Sequence, residues 1–352
     1  MRRHLILSCA VVIAAGGLGV ISRTLAAQQS AGRPAVPVQP IQAVIDAFGS
    51  HQLVAVADPH GNEQVHAFRL SLIRDPTFAA VVNDIVVEFG SARYQDRMDR
   101  FVRGEAVSDE LLREIWQNTT VPNFGWDRPI YEEFFRAVRA VNASRPRSQQ
   151  LRVLLGDPPI DWDTVHSADA LMKWNSERDT NPARLVEREV LGKGRRALVI
   201  YGGGHFFRFN AETLVSLIEK ENTAKILTIW ADTDIDLAAL DARVAAWPVP
   251  SLSMLRGTVL GAAPFTSYLG GGINPKAAAQ LRGRRMEDEF DALLYLGPRS
   301  AMTTSPLSRV RCADAAYIEM RIARMSLMPA PPGAPDPGDQ LKKYCAAAQA
   351  SK

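Results

Sequence analysis

The chain has 352 residues, is 47% hydrophobic and 22% charged, and carries a formal net charge of +3. That length and balance exclude a wholly disordered chain and allow one large core or two smaller ones. No basic stripe is interleaved with aromatics, so nucleic acid is not an expected partner.

Arg2, Arg3 and His4 precede an apolar run from Leu5 to Ile21, with Ala26 and Ala27 beyond it. This pattern predicts a signal peptide over residues 1–27, or else a single-span membrane anchor, and so an exported, periplasmic or extracytoplasmic protein. A lipobox at Ile6–Cys9 would leave almost no apolar stretch before the cysteine. Residues 1–27 hold Arg2, Arg3 and Arg23 and no acid, so 3 − 3 leaves the rest near neutral. The membrane is expected to be met through this segment alone. Cys9 would leave with it, and Cys312 and Cys345 then form a candidate disulfide for an oxidising compartment.

Residues 28–40 are rich in proline and small residues and read as a linker. From 41 to 304, short apolar runs alternate with helix-period segments. The expected strands are Leu53–Ala57, Asp84–Glu88, Leu151–Leu155, Ala197–Tyr201, Ile226–Trp230 and Asp291–Leu296. The expected helices include Glu63–Ile73, Asp109–Trp116, Ile130–Asn142, Asn181–Leu191, Ala211–Glu221 and Ile235–Ala246. Continuous apolar strands alternating with helices predict an α/β domain: a mainly parallel central sheet with helices on both faces. Residues 257–275 are glycine-rich and read as a long loop. Residues 305–352 read as an irregular C-terminal extension that is proline-rich from Met328, with a short helix at Gln340–Gln349.

Polar residues gather where strands end. The first strand runs into Asp58 and His60, the second ends in Glu88, the third in Asp157, the fourth in Gly203, Gly204 and His205, and the fifth in Asp232. Ligands of open parallel sheets bind outside the carboxyl ends of the strands. Glu63, His66 and Arg69 recur every three residues on the following helix, along one stripe. Asp58, His60, Glu88, Arg69 and His205 are therefore the candidate catalytic set. Glu63, His66, Gly203, Gly204 and Asp157 are candidate ligand-binding residues. Two histidines and a glutamate suit acid–base work on water, with Arg69 steadying an oxyanion. His60, Glu88 and His205 also suit a divalent metal, and an imidazole could ligate haem iron. The glycines before His205 do not continue into a dinucleotide fingerprint, because Phe207 occupies the last position. Neither G-x-S-x-G nor H-E-x-x-H occurs.

The runs ADPHGNEQVHAFRLSLI, IVVEFGSARYQDRMDRFVRGE and ALVIYGGGHF together resemble the superfamily that joins erythromycin esterases, ChaN-like haem-binding lipoproteins and TraB/Tiki proteins. The resemblance covers mainly residues 50–160 and 195–210. The H-G-x-E start, with Arg69 and Glu88 downstream, is similar to the esterase branch. Asp58, His60 and His66, with the run from Gln95 through Asp99 to Gly104, are similar to the ChaN branch. Ala57 and Asp58 stand where both branches carry a glutamate. The resemblance implies His60 as base or ligand, Glu88 as its acidic partner and His205 as a second imidazole. The expectation is an exported hydrolase-like protein acting on an ester- or amide-type small molecule. The alternative is a haem- or metal-binding protein without turnover. A homodimer is left open.

Overall fold

The computed structural model describes residues 32–221, 226–270, 279–328, 333 and 336–350. The signal or anchor segment, 1–27, lies outside them. Among the described residues, no helix is long and apolar enough to cross a membrane.

Seven strands form one sheet: β1 (Leu53–Ala57), β2 (Asp84–Ser91), β3 (Arg152–Asp157), β4 (Ala197–Tyr201), β5 (Ile226–Asp232), β6 (Ser251–Met254) and β7 (Ala292–Tyr295). Their order is β3-β2-β4-β1-β5-β7-β6, and every pairing is parallel except β6 with β7. β1 is buried at all five positions, as a strand covered on both faces must be. Val54 and Val56 join one apolar layer, with helices Glu63–Arg74, Asp109–Gln117 and Pro129–Ala143. Leu53, Ala55 and Ala57 join the other, with helices Thr180–Glu189 and Leu214–Glu221. The period-2 alternation of strand side chains divides the two cores. The α/β architecture with helices on both faces is the one the sequence predicts.

Several local expectations change. Ile235–Ala246 is not an α-helix. It forms two 3₁₀ turns, Leu237–Ala239 and Ala242–Ala246, each started by an aspartate (Asp236, Asp241) that accepts from a backbone N–H two residues on. Such local side-chain bonds compete with helix continuation. β6 is missing from the predicted strands because it has only four residues between prolines and a loop. The helix Gln95–Val102 buries only Met98, Asp99, Phe101 and Val102, a narrow stripe on a polar segment. The glycine-rich stretch contains the helical turns Val259–Ala262 and Phe265–Tyr268, while residues 271–275 lie outside the described residues.

The linker reading also changes. Arg33 pairs with Thr258 and Val38 with Leu252, so residues 33–38 lie along the sheet rather than spacing it from something else. Residues 28–31 lie outside the described residues. The C-terminal extension is not irregular. Helices Arg309–Cys312, Ala315–Met325 and Pro337–Ala350 build a small core of Leu307, Met325, Leu341 and Ala348, with Phe124 from the main domain. Cys312 and Cys345 are joined by a disulfide. Most of the proline-rich stretch before the last helix (329–332, 334 and 335) lies outside the described residues.

The carboxyl ends of β1, β2, β3 and β4 share one edge. β4 inserts between β2 and β1, so residues following three strands distant in sequence meet there.

Candidate active site at the carboxyl edge of the sheet

Asp58 follows β1 directly, and its N–H donates to the Tyr201 carbonyl at 2.8 Å, which extends the ladder by one residue. The chain then turns at Gly61, whose φ of 82° suits glycine, and enters the helix capped by Asn62. This turn carries His60 back over the sheet edge. Its Nδ1 lies 3.3 Å from Asp58 Oδ2 and its Nε2 lies 3.9 Å from Glu88 Oε2, while 45% of its side chain stays exposed.

Asp58 is buried and clasped. Arg69 Nη2 donates to Oδ1 at 2.5 Å, and the Tyr131 hydroxyl reaches Oδ2 at 3.4 Å while accepting the Gly61 N–H at 2.9 Å. Burial acts to raise the Asp58 pKa, but the Arg69 charge and the His60 contact outweigh it and hold the carboxyl at about 2. Arg69 is therefore a second layer beneath His60. It is itself buried and reaches Asp58, so the oxyanion role expected for it does not match its position.

Glu88 is the centre of the cluster and is 1% exposed. Its Oε2 accepts the Gly202 N–H at 2.6 Å, its Oε1 accepts from Arg178, and His205 Nε2 stands 3.4 Å from Oε1. Burial pushes the carboxyl up, but His205, His60 and Arg178 together hold it well below the ordinary range. His205 Nδ1 faces Asp179 Oδ1 at 2.8 Å. Burial disfavours its charge, yet Glu88 and then Asp179 raise its pKa to about 9, so it is an imidazolium at neutral pH. Burial likewise works against the charged form of His60, and Glu88 and Asp58 reverse it, leaving a raised pKa.

Asp157 lies deeper. It accepts the Thr120 N–H and hydroxyl, both at 2.6 Å, and Arg178 Nε stands 3.9 Å away. Burial dominates and lifts its pKa to about 7, against the opposing pull of Arg178 and Thr120. Its contacts make it a support for Arg178 and Thr120 rather than a surface for ligand.

The remaining predicted residues separate from this group. Glu63 turns to Thr303, accepting its hydroxyl at 2.6 Å, and the Thr303 carbonyl accepts the Glu63 N–H; the helix N-terminus is thus occupied by chain. His66 is buried against Glu133 at 3.0 Å, and burial lowers its pKa, so it stays neutral. Gly203 packs under Trp230, whose ring lies 2.5 Å from where a Cβ would stand; Gly204 faces open space. The side chain of Asp232 lies outside the described residues.

Arg178 and Asp179 are functional neighbours that the sequence reading passes over. They precede a predicted helix, where an aspartate reads as a cap. Asp179 does stand at the N-cap of Thr180–Glu189, but its carboxylate goes to His205 and the Leu214 N–H instead. Trp126 and Tyr131 were hidden in apolar patterns. Trp126 meets the His60 ring edge-to-face at 4.6 Å. Gly202 matters through its missing side chain: a Cβ there would stand 3.1 Å from His60 Cε1 and 3.3 Å from Glu88 Oε2.

Among the described residues, no group of three or more His, Cys, Asp or Glu side chains is arranged to hold a metal ion. The expected His60–Glu88–His205 triad is instead tied together internally. Glu88 is shared by Arg178 and a backbone N–H, and the Arg178 charge opposes a second cation beside it.

No family model and no curated protein matches the chain. Its fold has likenesses among solved structures. A Bacillus cereus protein is 11% identical with a TM-score of 0.49, over 78% of this chain and 97% of that one. The type III effector HopBA1 is 12% identical with a TM-score of 0.42, over 76% and 98%. ChaN of Campylobacter jejuni, solved with cofacially bound haem, is 10% identical with a TM-score of 0.38, over 57% and 89%. At these identities and scores, none of them assigns a family or an activity to this chain.

Proposed function

We propose that the chain is a hydrolase-like enzyme whose proton-transfer residue is His60, acting on an ester- or amide-type small substrate. The observation that carries this reading is the Asp58–His60–Glu88 arrangement. One imidazole nitrogen is held by a buried, charged aspartate, the other faces a buried glutamate, and the ring remains nearly half exposed. Asp58 fixes ring orientation and stabilises the imidazolium that forms when His60 takes a proton from water. Glu88 lies close enough to strengthen that basicity without a direct hydrogen bond. His205 stays charged and keeps Glu88 ionised. Arg178, not Arg69, is the guanidinium that reaches the exposed side of the cluster, with 26% of its side chain accessible. The returning proton goes from His60 to the leaving group.

Haem ligation is a weaker reading of the same residues. Both nitrogens of His205 lie against carboxylates, and Nδ1 of His60 is held by Asp58.

The test is a panel of aryl and alkyl esters, amides and phosphoesters, with and without divalent metal, run on wild type and His60→Ala. Turnover that disappears in the variant while the fold persists supports the reading. Turnover unchanged in the variant refutes it, as does an inert wild type that takes up haemin with a shifted Soret band lost in His60→Ala.

A further inference from the structure

The segment after residue 302 lies against the turn that follows His60. Thr304 pairs with Asn62, and the Ser305 N–H donates to the Gly61 carbonyl at 2.8 Å, next to His60 in the chain. Arg128 donates to the Ser305 carbonyl and lies over Gly61, where a Cβ would be 2.8 Å from its side chain.

A short strap, Phe124–Arg128, carries the contact inward, and neighbouring residues in it hold the C-terminal helices. Phe124 packs on Tyr344 at 4.7 Å, one residue from the Cys312–Cys345 disulfide. Asp127 is buried, and its Oδ2 accepts from Arg321 Nε at 2.9 Å, from Arg321 Nη2 at 2.6 Å and from the Tyr317 hydroxyl at 2.5 Å. Arg321, fully buried, also donates to the Gln117 carbonyl at 3.0 Å. Between Phe124 and Asp127 stands Trp126, 2% exposed, with its ring against His60. Trp126 also packs edge-to-face on Tyr131 at 5.0 Å, the residue bonded to Gly61 and Asp58. A charge pair this deep is costly to form and costly to break, so it fixes the strap in one place.

We propose that Trp126 is a positioning residue for His60, and that the C-terminal segment sets its place by gripping Phe124 and Asp127 on either side. This rests on the reading of His60 as the proton-transfer group. With the indole edge in place, the imidazole cannot turn away from Asp58 and Glu88. Those carboxylates, with Arg178 opposing, are the charged groups that govern its titration.

The experiment is a pH titration of the histidine ring signals by NMR on the full chain, with His60 assigned through its own alanine variant. Wild type, Trp126→Leu, Trp126→Phe and Cys345→Ser are compared, with circular dichroism as the check on folding. In Trp126→Leu the His60 pKa shifts down towards that of a free imidazole while that of His205 holds. Trp126→Phe, which keeps an aromatic edge, restores most of the shift. An unmoved His60 in folded Trp126→Leu overturns the proposal, and so does an equal movement of His205, which would mean general loosening. Should Trp126→Leu not fold, Cys345→Ser decides: His60 moving alone supports the grip, and His60 unmoved overturns it. The titration needs no substrate. A chain inert on every substrate but with His60 behaving as described would overturn the hydrolase reading and leave the positioning role standing.

Discussion

Glu88, within β2, and His205, just after the adjacent β4, are 117 positions apart in the sequence and stand with Oε1 and Nε2 3.4 Å apart. Each holds the other in its charged form: the carboxylate lifts the imidazole pKa to about 9, and the imidazolium keeps the carboxyl ionised despite burial. Glu88→Gln removes the carboxylate that Arg178 and His205 share and leaves those two cations beside a neutral amide. Loss of one partner from such a buried group costs about 3 kcal/mol or more. Urea denaturation at pH 7 measures it; a loss under about 1 kcal/mol would show that the cluster is not coupled.

His60→Ala should separate activity from stability. The ring is nearly half exposed, so its removal costs about 1 kcal/mol or less, whereas loss of a proton-transfer residue costs about 10²- to 10⁴-fold in rate. The thermal midpoint and kcat/KM of the variant, measured on the same preparation, test both halves.

The pH dependence of stability has a defined shape. His205 titrates higher in the folded chain than unfolded, so its contribution is complete below about pH 6.5 and is lost as the pH rises through about 9. Asp58 titrates lower when folded, so its contribution is present above about pH 4 and is lost as the pH falls through about 2. Asp157 runs the other way for an acid: its folded value near 7 makes stability decline from about pH 4 towards 7. Denaturation across pH should show a maximum near about pH 4, where Asp58 is ionised, Asp157 protonated and His205 charged. Asp157→Asn should flatten the segment between pH 4 and 7, and His205→Gln the alkaline one.

Gly202→Ala is a small change with a specific consequence. Its new methyl meets His60 Cε1 and Glu88 Oε2 at 3.1 and 3.3 Å, closer than ordinary contact, and must displace the exposed imidazole before the buried carboxylate. We expect about a 10²-fold loss of rate with a modest change in melting, because a displaced general base loses its alignment. A variant with wild-type turnover would show that His60 needs no fixed position.

The Cys312–Cys345 bond closes a separation of 33 residues. On the chain-entropy account such a link contributes about 3–4 kcal/mol. Cys345→Ser, or reduction of the wild type, should lower the denaturation midpoint accordingly, and proteolysis should begin in the helix Pro337–Ala350. Equal midpoints with and without reductant would remove the disulfide from the stability of this segment.

The strands were legible because residues buried on both faces must be apolar throughout. LVAVA and ALVIY leave little choice, and the observed β1 and β4 keep the expected bounds. Asp58, His60, Glu88 and His205 were legible as a group because Asp58 and Glu88 directly follow such runs and His60 and His205 come a few residues later, and parallel strands deliver their ends to one edge. Arg69 was legible as a site residue but not in its role. Its helical spacing places it on the stripe with His66, and nothing in spacing says that Asp58 would claim it. Ile235–Ala246 misled because aspartates at 236 and 241 start turns that compete with the helix the apolar residues suggest.

The sequence by itself thus determined the class of fold and which side chains reach the strand ends, since both follow from local burial patterns and chain direction. Only the tertiary structure decided which charges meet. β4 lying between β2 and β1, Arg178 and Asp179 closing on Glu88 and His205, and Asp127 clasping Arg321 are contacts between residues 26 to 194 positions apart. The chemistry of the site depends on those distances, because the strength of a charge pair falls with separation and with exposure to water, and neither is written in local sequence.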